Sequence, residues 1–428
     1  MNNKSLADWL SYLEQLHPTA IDMGLDRSRK VAQALALGHL APRVVTVTGT
    51  NGKGSTCAFL ARLLRASGLR VGVYSSPHLL RYNERVSIDG QDVDDQTLCE
   101  AFAAVEAARQ DTSLTYFEMG TLAAFWLFAR AELDAVILEV GLGGRLDAVN
   151  LVDADLALVT SIGLDHAEWL GNTRESVAFE KAGIFRSGKP ALCGDLDPPV
   201  PLLEQAERLN APLFCRGKDF DLLMESHSWF WKGVAADGEV LTLPGIPFLD
   251  LPMENAALAL QAYALLDIEW VPEKIVQALV DTAVVGRLDR RQVSIDNKQI
   301  HLLLDVGHNP HAAEYLARRL SVRKPSGRRL AVFGLLSDKD LHGVITPLLA
   351  VIGEWFVAEL PTPRSRSAQE LHAALRNQGQ AVHCHDTIRN ALSAAAEMAT
   401  EDDEIIVLGS FYSVAEALGW LHSQAQGE

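Results

Sequence analysis

The sequence predicts an α/β protein built as two open α/β lobes, and three observations carry that prediction. Strand-length apolar runs alternate with helical stretches from residue 43 onward, the pattern of a mainly parallel sheet covered on both faces. Residues 213–250 break the alternation, with Trp229, Phe230 and Trp231 set among glycines, prolines and polar alternation, and the pattern restarts near Ile300. A length of 428 residues allows two or three domains, each with its own core. The expected division is a first lobe at 1–285, with a short antiparallel β-rich insert near 213–250, and a smaller Rossmann-like second lobe at 286–428.

The elements follow in order. Leu6, Trp9, Leu10, Leu13 and Leu16 share one helical face, interrupted by Asp8 and Glu14, so the chain opens on an amphipathic helix rather than a signal peptide. The β-branched run Val44 to Val47 is a buried strand. It feeds a glycine loop and a helix that continues through Phe59, Leu60, Leu63 and Leu64 and stops at Gly68. Further buried strands are Val71 to Tyr74, Ala135 to Val140 and Leu156 to Thr160, separated by helices at 94–109 and 118–131. Helices at 255–267 and 272–282 follow the insert. In the second lobe, strands at 300–305, 329–333, 354–359 and 404–408 alternate with helices at 311–321, 367–377, 386–399 and 412–423.

Composition narrows the function. The apolar fraction of 48% and charged fraction of 22% are those of an ordinary soluble chain. A net charge of −17 argues against nucleic acid or an anionic membrane as partner. The longest wholly apolar run, Leu122 to Ala129, is too short to span a bilayer. Cys57, Cys99, Cys193, Cys215 and Cys384 are scattered without metal-type spacing and read as reduced thiols in a cytoplasm. His383-Cys384-His385 is either a metal site or the end of a strand before a helix, and no further Cys or His cluster joins it.

The most informative stretch is Arg43-Val-Val-Thr-Val-Thr-Gly-Thr-Asn-Gly-Lys-Gly-Ser-Thr56. Gly49, Gly52 and Gly54 let several backbone N–H groups face one small space. The helix N-terminus adds partial positive charge and Lys53 a full one. A triphosphate such as ATP or GTP suits that space, which makes the first lobe a P-loop ATPase domain. The loop departs from the common pattern: only Thr50 and Asn51 separate Gly49 from Gly52, and Gly54 follows the lysine. The hydroxyl that normally helps hold magnesium is thereby displaced to Ser55.

Several other residues carry chemistry. Glu139 lies in an otherwise apolar strand, where a lone carboxylate is costly; it either pairs with Arg145 or faces phosphates as a magnesium ligand. His166 follows the next strand, as a hydrogen-bonded core residue or as a ligand at the top of the sheet. Lys181 could pair with Glu180 or Asp165, contact phosphate or, if carbamylated, bridge a metal. In the second lobe Asp305, His308 and Asn309 crowd donors and acceptors at a strand end, and Gly409-Ser410 falls at another. Arg287 stands near the lobe junction, either as a surface charge or placed to neutralise a γ-phosphate.

Taken together these motifs resemble the folylpolyglutamate synthase family, within the ATP-dependent amide ligases that include the Mur ligases. The markers are Gly-Thr-Asn-Gly-Lys-Gly-Ser (49–55), Tyr-Ser-Ser-Pro-His-Leu (74–79) and Leu-Glu-Val-Gly-Leu-Gly-Gly (138–144). Leu-Asp-His (164–166), Glu-Lys-Ala-Gly-Ile (180–184) and Asp-Val-Gly-His-Asn-Pro (305–310) continue the series. Asp22-Met-Gly-Leu25, Leu114-Thr-Tyr-Phe-Glu118 and Arg145-Leu-Asp-Ala148 are similar to the bifunctional bacterial branch. Gly307 and Gly163 stand where the family commonly has alanine, and 288–299 is longer than expected between Arg287 and Asp305.

The resemblance implies ATP as substrate, with contacts from Thr50, Asn51, Gly52, Lys53, Gly54, Ser55, Asn255, Arg287 and Asp305. It implies Mg2+ on Ser76, Glu139, His166 and a carbamylated Lys181. Catalytic duty falls to Lys53, Lys181, Arg287 and His308. Acceptor contacts fall to Asp22, Met23, Gly24 and Leu25, to Thr115, Tyr116, Phe117 and Glu118, and to Leu146, Asp147 and Ala148. The expected reaction joins L-glutamate to dihydropteroate and to reduced folates through an acyl phosphate, in a cytoplasmic monomer. The alternatives are a ligase of folates only, a Mur-type cell-wall ligase, and a nucleotide switch without chemistry.

Overall fold

The computed structural model describes residues 4–295 and 298–426. The chain divides into two compact units, Met1–Thr282 and Ala283–Glu428.

The first unit is centred on an eight-stranded mixed sheet of order β4-β3-β2-β5-β1-β6-β7-β8. Its strands are β1 (Arg43–Thr48), β2 (Val71–Tyr74), β3 (Val86–Ile88), β4 (Gln91–Asp92), β5 (Ala135–Glu139), β6 (Leu156–Val159), β7 (Ala191–Cys193) and β8 (Leu213–Cys215). Strands β2, β5, β1, β6, β7 and β8 run parallel, while β3 and β4 extend one edge antiparallel. β1, β5 and β6 are the apolar runs of the sequence, and only Arg43 among their residues escapes burial. Such near-complete burial is that of parallel strands covered on both faces. The register sets Val47 beside Glu139 and Thr48 beside Val159, so the loops after all three strands emerge at one end of the sheet.

A separate three-stranded antiparallel sheet follows, of β9 (Asp221–Met224), β10 (Trp229–Val234) and β11 (Val240–Ile246). Trp229 and Trp231 of β10 are fully buried. Buried Gln261, on the helix Met253–Ala264, donates to the Val234 carbonyl and accepts from the Val234 N–H, fixing sheet to helix.

The second unit holds a six-stranded sheet of order β12-β13-β17-β14-β15-β16. Its strands are β12 (Asp289–Ile295), β13 (Lys298–Asp305), β14 (Arg329–Phe333), β15 (Glu354–Ala358), β16 (Ala381–His385) and β17 (Glu404–Leu408). All pairs are parallel except β12 with β13. Asp305 lies beside Leu408, so Asp305 and Gly409-Ser410 share the carboxyl end of this sheet.

Some expectations shift at their edges. The opening helix ends at Leu13 rather than Leu16. The helix expected at 118–131 is Tyr116–Phe128, because Thr115 and Glu118 form a capping box that starts it earlier. Leu213–Cys215 pairs with β7 and joins the main sheet, so the antiparallel strands occupy only 221–246. The long 288–299 stretch contains β12, with Asp296 and Asn297 outside the described residues. His383-Cys384-His385 ends β16: His383 Nε2 lies 2.7 Å from a Glu354 carboxylate oxygen, and both imidazoles stack on Phe356. Among the described residues no helix is long and apolar enough to cross a membrane.

Candidate active site

The glycine loop is shaped by the strand next to it. Gly49 has φ +153°, and a Cβ there would lie 1.8 Å from the Thr160 hydroxyl. Thr160 Oγ1 donates to the Asn51 carbonyl at 2.6 Å, and Ser161 Oγ donates to the same oxygen at 3.0 Å. Thr50 N–H donates to the Ser161 carbonyl at 2.8 Å, and the Thr50 hydroxyl donates to the Gly163 carbonyl at 2.9 Å. Gly52, at φ +91°, caps the helix Lys53–Ala66, and a Cβ there would lie 2.6 Å from Asn255 Oδ1. Asn255, far off in sequence, is thus held against the loop. Lys53 Nζ donates to the Gly49 carbonyl at 2.9 Å, and Ser55 is buried in the first helical turn.

Glu139 is 4% exposed at the end of β5. A Cβ on Gly54 would sit 3.8 Å from each of its carboxylate oxygens, so the carboxylate faces the first turn of the Lys53 helix. Arg145 is not its counter-ion: Arg145 Nη2 pairs with Glu180 at 2.8 Å. The Ser76 N–H donates to Glu139 Oε2 at 3.3 Å, bringing the loop after β2 to the same carboxylate.

Lys181 is 3% exposed. Burial first, then the Lys53 charge, pull its amine down to about 7, with Asp165 and Asp147 drawing it the other way. His166 takes a left-handed backbone, φ +52°, at the start of the short helix Ala167–Leu170, and its Nε2 lies 4.0 Å from Asp165 Oδ2. Among the described residues no three His, Cys, Asp or Glu side chains form a metal cage.

The three acceptor segments converge. Arg27 joins two of them, donating to Asp22 Oδ2 at 2.7 Å and to Glu118 Oε1 at 3.1 Å. Buried Ser28 also donates to Glu118 at 2.9 Å, and Glu118 Oε2 accepts the Thr115 N–H at 2.8 Å. Met23 approaches Gly143, its methyl 3.6 Å from where a Cβ would stand, while Gly24 is open and Leu25 precedes the helix Asp26–Ala34. The Phe117 ring covers Gly141, and Tyr116 packs edge-on to Tyr82 at 5.6 Å. Leu146 is half-buried beside Asp147 and Ala148, which are buried. Asp147 accepts the Leu142 N–H at 2.8 Å and the Val149 N–H at 2.9 Å. Burial nevertheless pushes its carboxyl up to about 6.

The second unit presents its own cluster. Asp305 accepts the Leu288 N–H at 2.9 Å and the Gly307 N–H at 2.8 Å. Burial raises its carboxyl, opposed by the Leu288 amide and the Arg287 charge. Arg287 lies 5.7 Å from the Phe411 ring, and His308 lies 6.2 Å from the same ring. His308 Nδ1 is 2.9 Å from the Val306 carbonyl, and Asn309 caps the helix Pro310–Val322. The Gly307 substitution has a local consequence, since an alanine Cβ would fall 2.8 Å from Asp305 Oδ1. At Gly163 a methyl would only touch Thr50, at 3.6 Å.

Sequence reasoning missed the bracing role of Thr160 and Ser161, the link through Arg27, and Phe411. Phe411 directly follows the Gly409-Ser410 turn at the end of β17, which was its one signal.

The Mur ligase middle domain matches residues 47–193, and the Mur ligase glutamate ligase domain matches 286–411. The dihydrofolate synthase/folylpolyglutamate synthase of Escherichia coli K12 is 45% identical over 99% of this chain and 97% of its own length. The solved structure of E. coli FolC in complex with DHPP and ADP superposes with a TM-score of 0.92, at 45% identity over 99% of each chain. The Yersinia pestis bifunctional folylpolyglutamate synthase/dihydrofolate synthase, complexed with AMPPNP and a Mn ion, gives 0.90 at 46% identity over 98% of each chain. With two matched Mur ligase domains in order and near-complete coverage at such identity, this chain belongs to the dihydrofolate synthase/folylpolyglutamate synthase family of the Mur ligase superfamily.

Proposed function

We propose that the protein uses ATP to join L-glutamate to 7,8-dihydropteroate, forming dihydrofolate, and to add further glutamates to reduced folates. The observation that carries this reading is the buried Glu139 carboxylate facing the first turn of the Lys53 helix. A carboxylate facing the first turn of a phosphate-binding helix stands where it could help hold a divalent cation alongside the phosphates. Mg2+ fits the donors, because it is commonly bound by one or two carboxylates together with substrate phosphates and water rather than by an all-protein cage. Glu139 and the Ser76 hydroxyl would supply oxygens to it, His166 a third contact, and Lys181, if carbamylated, a further anion. When bound, the metal screens the repulsion between triphosphate and acceptor carboxylate.

The first unit then reads as a P-loop ATP-binding domain at 1–285 with its β-rich insert, and 286–428 as a Rossmann-like ligase domain. Thr50 to Ser55 and Asn255 hold the nucleotide, Lys53 its phosphates, and Asp305 and Arg287 take the remaining nucleotide contacts. A carboxylate is a poor acyl donor, so the γ-phosphoryl passes to it and gives an acyl phosphate. Arg287 stabilises the group in transfer, and the glutamate amine, presented near His308, displaces phosphate. Asp22 to Leu25, Thr115 to Glu118 and Leu146 to Ala148 hold the pterin acceptor, with the Phe117 ring as its apolar wall. We place the reaction in a monomer in the cytoplasm, where the five free thiols suit a reducing solvent.

Glutamate-dependent phosphate release from ATP, with dihydropteroate and tetrahydrofolate supplied separately, tests the reading. Release with both, and a glutamate-sized mass gain in each product, is expected. Release with tetrahydrofolate alone would restrict the protein to chain extension and undo the pterin contacts.

A further inference from the structure

We propose that Arg85, together with Glu84, is a positioning residue that holds the Ser76 loop toward Glu139 and ties that loop to the acceptor helix Tyr116–Phe128. The inference rests on the reading of Ser76 as a metal contact and of Tyr116 as part of the acceptor site.

The loop between β2 and the 3-10 turn Tyr82–Arg85 has no regular structure of its own, so its backbone donors need partners. Glu84 supplies them. Its carboxylate accepts the N–H groups of Leu79, Leu80 and Arg81 at 2.6, 2.8 and 2.7 Å. Ser75, next to Ser76, donates its N–H to the Arg85 carbonyl at 2.9 Å and its hydroxyl to the Glu84 carbonyl at 3.3 Å. Both ends of the loop are therefore bound to the same two residues.

Arg85 adds the second half. It is 9% exposed, and its Nε donates to His78 Nδ1 at 2.8 Å. The His78 ring is thereby fixed with Nδ1 as acceptor, which locks the loop just beyond Ser76. The guanidinium lies 5.2 Å from the Tyr82 ring and 5.6 Å from the Tyr116 ring. Among the described residues no carboxylate forms an ion pair with it; the His78 imidazole, the Tyr74 hydroxyl and two aromatic faces hold it in place. A cation buried without an anion is costly, and here it joins a loop to a helix, a planar fork bonding one and stacking on the other.

The expected consequence is joint movement. Without Arg85, the Ser76 hydroxyl and the Tyr116 ring lose their common support, while the Gly49–Ser55 loop keeps its bonds to Thr160 and Ser161. Metal affinity and acceptor affinity should weaken together, and nucleotide affinity should not. The test compares Arg85→Met, Arg85→Lys, Glu84→Gln and Ser76→Ala. Mn2+ binding in the presence of ADP is followed by electron paramagnetic resonance, with KM for dihydropteroate and amide hydrogen exchange across 75–81. Arg85→Met should weaken Mn2+ and raise the acceptor KM by about tenfold each, in the range known for groups that orient metal ligands. ADP binding should change less than about twofold, and exchange at 79–81 should quicken. Arg85→Lys, which keeps the charge and folds with it, should not restore Mn2+ affinity; full restoration would overturn the role. Glu84→Gln should weaken Mn2+ and leave the acceptor KM in place. Loss of Mn2+ binding in Ser76→Ala without any in Arg85→Met would overturn the positioning role alone. No loss in either would overturn the metal role of Ser76 itself, and the positioning role with it.

Discussion

Lys181 and Asp147 illustrate how burial prepares single side chains for chemistry. An amine must be neutral to take up carbon dioxide, and Lys181, drawn down to about 7, spends much of its time neutral near physiological pH. Electron density at Lys181 Nζ should therefore show a carbamate in crystals grown with bicarbonate. Lys181→Ala should lose on the order of 10²–10³ in turnover, with partial return on adding acetate; unchanged turnover would remove Lys181 from the site. Asp147 gives a pH signature. Its carboxyl lies at about 6 when folded against 3.8 otherwise, so the folded state holds the proton more tightly. The stability this contributes is complete below pH ~4 and lost as pH rises through about 6, up to roughly 3 kcal/mol. Urea unfolding of Asp147→Asn should lack that decline, so the variant gains on the parent between pH 4 and 7. Parallel profiles for the two proteins would contradict it.

At the scale of elements, the phosphate loop depends on the end of a strand more than one hundred residues away in sequence. Gly49→Ala sets a methyl into the Thr160 hydroxyl at a φ that favours glycine, so the loop must open. ADP affinity should fall by at least about tenfold. Thr160→Val removes only the bond to the Asn51 carbonyl, costing about 1 kcal/mol, and should weaken ADP by roughly fivefold. Equal effects from the two would mean that packing, rather than the loop's bond, sets affinity. The buried strands β1, β5 and β6 were legible because they are continuous apolar runs with no alternation to confuse them. β7 and β8 were not, since three residues carry no period. The helix Asp26–Ala34 was missed for a different reason: only Ser28 and Val31 are buried, too few for a stripe.

For the whole molecule, the division into Met1–Thr282 and Ala283–Glu428 gives each unit a sheet and a core of its own. Expressed separately, the two fragments should each unfold cooperatively in urea, and 1–282 should bind ADP more weakly than the full chain, because Arg287 and Asp305 are gone. A fragment 1–282 that folds and binds ADP no more tightly than its Lys53→Ala variant would move the phosphate site away from the glycine loop. The sequence by itself determined the strand–loop–helix that faces phosphate, the alternation of each lobe and the order of the six motifs. These are local patterns, written in side-chain period and glycine spacing, and the near neighbours on the chain enforce them. Tertiary structure alone decided which groups meet. It paired Arg145 with Glu180, turned the Glu139 carboxylate toward the helix start, set Asn255 against Gly52, and joined Asp22 to Glu118 through Arg27. Such pairings join residues dozens to hundreds of positions apart, and strand order and packing fix their distances, for which a single chain carries no local signal.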